Sequence, residues 1–101
     1  MNTDAFHAWL NATFRNKGTV ASRLSEARRV EAEYGDLDSQ YSYDRLEGLI
    51  DNLEYSVVDE RQNAKNPTRI VIGGNVKNGL ASLRTSLRCY QRYADQSVNQ
   101  K

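Results

Sequence analysis

Apolar residues recur along the chain in helical steps, in runs separated by turn-forming residues. From Thr3 onward, Phe6, Trp9, Leu10 and Phe14 fall three to four residues apart, and Gly18 follows Lys17 as a stop signal. That spacing predicts a first helix over about residues 4–16. Thr19 stands as the N-cap of a second helix, about 20–34, in which Val20, Leu24, Ala27, Val30 and Tyr34 step by three or four. Gly35 marks its end, where a left-handed residue is needed. Asp36 to Gln40 reads as turn, after which Ser42 caps a third helix over about 43–54 with Tyr43, Leu46, Leu49, Ile50 and Leu53 on one side. Ser56 with Asp59 three residues on matches a capping box and predicts a short helix over about 57–64.

Asn66-Pro67 ends helical structure, because the residue before proline is driven out of the α region. Arg69-Ile70-Val71-Ile72 is a β-branched run too short to build a sheet, and it reads as an extended crossover or one edge of a small ribbon. After Gly73-Gly74, Asn75 caps the last helix, where Val76, Leu80, Leu83, Leu87, Tyr90 and Ala94 alternate steps of four and three. Gly79 inside it costs up to ~1 kcal/mol relative to Ala, which points to close packing by another element. The polar tail from about Gln96 is expected to fray.

These elements predict an all-α fold: a single compact bundle of four to five helices with a short extended segment near 69–72. One domain spans 1–101, with an ordered core over about 4–95. No repeat, low-complexity stretch or interdomain linker interrupts it. A chain of this length must bury roughly 60–65% of its unfolded surface around one core. Its apolar fraction of 39% is low, but six Tyr, two Phe and one Trp supply large buried areas from few positions. The lone Cys89 cannot make an internal disulfide, and no run resembles a signal peptide or a membrane span, so the expectation is a cytoplasmic protein with no membrane partner. The Asn11-Ala12-Thr13 sequon falls inside a helical pattern and reads as coincidence.

Charge changes this picture more than composition does. The net charge of +1 conceals three blocks: residues 1–30 carry five basic and two acidic side chains, residues 31–60 one and ten, and residues 61–101 eight and one. Blocks of this size create local fields that steer partners. On the last helix, Arg84, Arg88 and Arg92 recur every four residues and form a ladder predicted to lie along one exposed side. Each like-charged pair costs about 0.2–0.5 kcal/mol, so an anionic partner is expected to compensate the ladder, either the acidic 31–60 segment or an external polyanion. Arg23, Arg28 and Arg29 on the second helix, with Arg15 and Lys17, would extend the patch, and Gln91 or Tyr93 would be available for sugar or base contacts.

Catalytic chemistry finds little support. One His and one Cys cannot make a structural zinc site. His7 has no nucleophile to serve and reads as a surface or boundary residue. Cys89, beside Arg88, reads as a half-buried structural thiol rather than a reactive one. Asp36, Asp38 and Asp44 lack the glycine and terminal Glu of a calcium loop. Gly74 and Gly79 are spaced like P-loop glycines, but Leu80-Ala81 stands where Lys and Ser or Thr are required. Free N–H groups at the start of the last helix, with Lys77, would still suit a phosphate oxygen. No metal and no cofactor is expected.

Gly18-Thr19-Val20-Ala21-Ser22-Arg23, Arg28-Arg29-Val30-Glu31 and Gly35-Asp36-Leu37-Asp38 resemble a segment of small α-helical accessory domains in bacterial restriction and phage-defence proteins. Leu53-Glu54-Tyr55-Ser56, Ile70 to Ile72, and Gly79-Leu80-Ala81-Ser82-Leu83-Arg84 running to Tyr90 resemble the later part of the same domain, so the likeness covers most of 6–94. It implies an accessory module that accompanies a nuclease or motor. The Leu-Arg-x-x-Leu-Arg-x-Tyr pattern is also similar to the core-binding domains of tyrosine recombinases, although the connection between the helices differs. Both resemblances imply DNA contact and neither implies a catalytic residue.

The sequence therefore leads to a non-enzymatic, DNA-binding or DNA-associated module using Lys77, Arg84, Arg88 and Arg92 with Arg23, Arg28 and Arg29. The alternative is a protein-interaction module, whether an adaptor, a homodimer or a small phage-encoded inhibitor, acting through Asp36, Asp38, Asp44 and Asp51 of the acidic segment.

Overall fold

A computed structural model of the chain describes residues 1–99. Six helical segments follow in order: α1 (Thr3–Thr13), α2 (Lys17–Tyr34), α3 (Leu37–Asp44), α4 (Glu47–Asn52), α5 (Val57–Arg61) and α6 (Val76–Asn99). No strand occurs among the described residues, and the fold is an all-α bundle. Its largest pairing is α2 against α6, with α1 packed on α2 and touching α6.

Short polar side chains set where the helices begin. Asn2 accepts from the Ala5 N–H at 3.1 Å and caps α1, which ends at Thr13 with Phe14 already extended, earlier than the periodicity predicts. Asn16, not Thr19, caps α2 by accepting from the Thr19 N–H at 3.1 Å, so α2 starts at Lys17. Gly18 is therefore not a stop. It lies in the first turn of α2, where an added Cβ would come 3.0 Å from the capping oxygen of Asn16. Gly35 ends α2 with φ of 95°, as its position predicts.

The third predicted helix is displaced and divided. Asp36 caps α3 through the Ser39 N–H, so the supposed turn is helical and Ser42 lies inside α3. The helix then breaks at Arg45 and Leu46, both left-handed, with φ of 59° and 70°. Left-handed backbone costs roughly 1–2 kcal/mol per non-glycine residue, so something outside the segment must impose it. The break resets the phase of the apolar stripe: Leu46, Leu49, Ile50 and Leu53 are buried, while Tyr43, grouped with them by spacing, is 88% exposed.

The capping box of Ser56 and Asp59 forms, and α5 stops at Arg61, short of the predicted end at 64. From there to α6 the chain is irregular and braced by Asn66, which donates to the Ile70 carbonyl at 2.7 Å and accepts from Thr68. Segment 69–72 crosses the bundle without forming a ribbon, burying Ile70 and laying Ile72 against α6. A Cβ at Gly79 would lie 2.5 Å from Ile72 Cγ2, which is the close approach its presence signals.

Asn75 caps α6 by accepting from the Asn78 N–H at 2.9 Å. α6 continues through residues 96–99, beyond the expected start of the frayed tail; residues 100 and 101 of that tail lie outside the described residues. Leu80, Leu83, Leu87, Tyr90 and Ala94 form its buried stripe. Phe6, Trp9, Tyr90 and Tyr93 make an aromatic cluster where α1 meets α6, with the Phe6 and Tyr90 rings edge-on at 4.9 Å.

Candidate functional site

The arginine ladder of α6 faces the acidic third of the chain. Arg84 is only 21% exposed; it donates to the Leu53 carbonyl at 2.7 Å and lies 3.9 Å from a Glu54 oxygen. Arg88 donates to Glu47 at 3.0 Å and to the Gln91 side-chain oxygen at 3.0 Å. Arg92 sits 5.5 Å from the centre of the Trp9 ring, a cation–π contact. Three guanidiniums one turn apart are thus held by different partners; Arg88 and Arg92 lie exposed as the spacing predicts, whereas Arg84 turns inward. Nor is the acidic segment a cover that lifts. Leu46, Leu49, Ile50 and Leu53 anchor it with exposures of 0–5%, and baring each would cost about 1.5–3 kcal/mol.

α6 also imposes the strained break between α3 and α4. Gln91, 5% exposed, donates from Nε2 to the Arg45 carbonyl at 2.5 Å and to Glu47 at 2.9 Å. Arg45 in turn grips Asp95, which also accepts from the Tyr41 hydroxyl. Gln91 first and Arg88 second hold the Glu47 carboxyl below its usual range, and Arg45 with Tyr41 does the same for Asp95. Gln91 is therefore engaged inside the fold and not free for base contacts, and Tyr93 belongs to the aromatic cluster.

Most of the acidic residues singled out by sequence have internal work as well. Asp36 caps α3 and accepts from the Met1 ammonium, which also meets Glu31 at 2.8 Å. Burial opposes charge on that ammonium, but the hydrogen bonds it donates to Asp36 and Glu31 outweigh it and raise its pKa to about 10. The same contact, with Ser39, lowers the Asp36 pKa to about 2. Asp38 accepts from the buried Tyr90 hydroxyl, whose pKa is pushed up by burial and then by that bond. Asp44 accepts from the Gly48 N–H at 2.9 Å, which leaves Asp51 exposed on α4.

A different surface is left open, along the outer side of α2. Opposite its buried Val20, Ala27 and Val30, α2 shows solvent Ala21, Ser22, Ser25, Arg28, Arg29 and Ala32. Short side chains here leave grooves on both flanks. One, about 560 Å³, runs between α1 and α2 and is lined by His7, Ala21, Leu24, Ser25, Arg28, Arg29 and Ala32. A second, about 260 Å³, lies between α2 and the 69–71 segment, lined by Arg29, Ala32, Glu33, Arg69, Ile70 and Val71. A third, about 420 Å³, lies toward Ser82 of α6 and includes Ser22, Ser25, Glu26 and Arg29.

Arg29 borders all three grooves and is held in place by donating to the Val71 carbonyl at 2.7 Å. Arg28 and Arg69 meet no carboxylate among the described residues. Arg23 is on the inner side of α2 instead, bound to Glu26 at 3.1 Å and to the buried Ser86 at 3.2 Å. Lys77 stands apart on the first turn of α6, where the Asn78 N–H already serves the Asn75 cap. Of the seven basic residues named from sequence, the structure brings Arg28 and Arg29 together on an open face. It adds His7 and Arg69, which spacing along the chain does not connect, and Leu24, which the spacing assigns to the apolar stripe of α2. The one signal available in sequence is the row Gly18, Ala21, Ser25 and Ala32 on the side of α2 away from its apolar stripe.

Cys89 is 6% exposed, and burial raises its pKa against the fields of Arg23 and Arg92, so the thiol is more deeply buried than the half-buried position expected. No three His, Cys, Asp or Glu side chains among the described residues converge as a metal-binding group. No helix among them is long and apolar enough to cross a membrane. No family model, no curated protein and no solved structure matches the chain.

Proposed function

We propose that this chain is a non-enzymatic DNA-binding module of the cytoplasm that contacts phosphates through the outer face of α2. The observation that carries the reading is the division of labour among the arginines. Those of α6 are engaged by Glu47, Glu54, the Leu53 carbonyl and Trp9, whereas Arg28 and Arg69 meet no carboxylate among the described residues and Arg29 is braced by a backbone oxygen. Arginine on a surface of short residues lets a phosphodiester backbone approach closely, and Ser22 and Ser25 add hydroxyl donors. A link to restriction or phage defence rests on the resemblance of Gly18–Arg23 and Gly79–Tyr90 to accessory domains of those systems.

The test is binding of labelled DNA at two salt concentrations, about 50 and 200 mM, since each neutralised phosphate contributes about 0.9 to the log–log slope. Arg28→Glu with Arg69→Glu should remove binding while leaving the helical circular dichroism unchanged, because both side chains are exposed and form no ion pair among the described residues. Arg84→Glu should instead lower stability, since it opposes Glu54 and abandons the Leu53 carbonyl. Equal affinity in the Arg28/Arg69 variant, or no binding by the parent at low salt, overturns the proposal.

A further inference from the structure

We infer that the α2 surface takes a single strand rather than a duplex, seating unpaired bases in the two grooves that share Arg29 and Ala32. This rests on the DNA-binding reading above and names the form of DNA it would engage.

Phosphate contact requires only cations, yet the floor of the larger groove is Leu24 with Ala21 and Ala32, and the neighbouring groove is walled by Ile70 and Val71. Val71, 83% exposed, adds open apolar surface beside the buried Ile70 on that groove. A duplex offers its phosphate rim to such a surface and keeps its bases stacked inside. Reading base edges in the major groove needs several side chains that reach out, and of the outward α2 residues only Arg28 and Arg29 do so, with Arg29 tied to the Val71 carbonyl; the others are Ala and Ser. A duplex would leave the apolar walls uncovered.

An unpaired strand offers both chemistries in alternation, charged phosphate and apolar base face. The grooves present them in the same alternation. His7 lines the first groove with Arg28 and Arg29 and supplies an imidazole that can stack on a base; Ile70 and Val71 line the next groove, which shares Arg29. The volume of about 560 Å³ falls in the range of roughly 300–1,000 Å³ typical of small-ligand clefts, enough for a flat ring with room for its sugar. Arg29 uses one donor on the Val71 carbonyl and keeps the rest of its five for a phosphate between the two bases. Glu33, on the second groove, is the one carboxylate on this path and opposes a phosphate there.

Fluorescence anisotropy with a labelled oligothymidylate and with a duplex of equal length tests this on the full chain. The single strand should bind at least about tenfold more tightly, as expected from stacking of one or more bases. Ala32→Leu fills the floor shared by both grooves without changing charge and should weaken the single strand alone. His7→Ala should weaken it about fivefold or more, the loss expected for one stacked base. Glu33→Gln should tighten it. Arg28→Glu should weaken both forms. A duplex bound as tightly as the single strand, or single-strand affinity unmoved by both Ala32→Leu and His7→Ala in folded protein, overturns the inference while leaving DNA binding intact. Failure to bind either form overturns the DNA-binding reading with it.

Discussion

Replacing Gln91 with Leu removes one amide from the centre of the fold and should shift the balance at the α3–α4 break. The two side chains have similar size and both suit a helix, so the change is chiefly polar. Lost are a bond to the Arg45 carbonyl and one to the Glu47 carboxylate, with the Arg88 guanidinium losing an acceptor. A neutral hydrogen bond contributes about 0.5–1.5 kcal/mol and one to a charged group about 1.5–3 kcal/mol. Better burial of Leu returns about 1 kcal/mol, leaving a net loss of about 1–3.5 kcal/mol. The same bonds oppose the roughly 2–4 kcal/mol of left-handed strain at Arg45 and Leu46. Without them, the broken and continuous helices approach parity.

Urea denaturation followed by far-UV circular dichroism measures the stability loss, and hydrogen exchange at Glu47 to Ile50 reports the break directly. Protection there should fall in the variant. The Glu47 carboxyl should also titrate higher, since its foremost hydrogen-bond donor is gone. A loss below about 0.5 kcal/mol, the scatter of surface substitutions, with unchanged exchange at Glu47 to Ile50 would refute the claim that α6 imposes the break.

Gly79→Ala should gain about 1 kcal/mol of helix propensity and lose about 1–3 kcal/mol to crowding against Ile72, so it should be neutral to destabilising by about 2 kcal/mol. In an Ile72→Ala background it should stabilise by the full propensity term, and equal effects in the two backgrounds in a denaturation cycle would exclude the contact. The Met1 ammonium is raised from 8.0 to about 10, so its contribution is complete below pH 8 and disappears as pH rises through about 10. Asp36 is depressed from 3.8 to about 2, so its contribution is present above pH 3.8 and is lost as pH falls toward about 2. Protein acetylated at the N-terminus should be less stable at neutral pH, and the gap should close above pH 10; identical urea midpoints at neutral pH would rule this out.

The charge blocks illustrate how much of a site can be legible while its placement is not. Composition along the chain shows an acidic block at 31–60 and basic blocks on either side, but not whether or where they pair. The structure answers through Arg84 with Glu54 and Arg88 with Glu47; Arg84 is drawn inward, while Arg88 and Arg92 stay exposed but engaged by Glu47 and Trp9. Arg28 and Arg29 were visible as candidates. Their grooves were not, because each is walled by segments distant in sequence: His7 on α1, and Ile70 and Val71 on the crossover.

By itself the sequence determined what depends on neighbours three or four residues apart. The long last helix, its Asn75 cap, the Ser56–Asp59 box, the end of α2 at Gly35 and the all-α class all follow from such local rules, because each is decided within one or two turns of chain. Tertiary structure alone decided the break at Arg45 and Leu46, the exposure of Tyr43 and the choice of arginines left facing outward. Local spacing favours a continuous helix through those residues. Gln91, Arg88 and Asp95, more than forty positions away, supply the hydrogen bonds that outweigh its preference, and only the folded bundle brings them there.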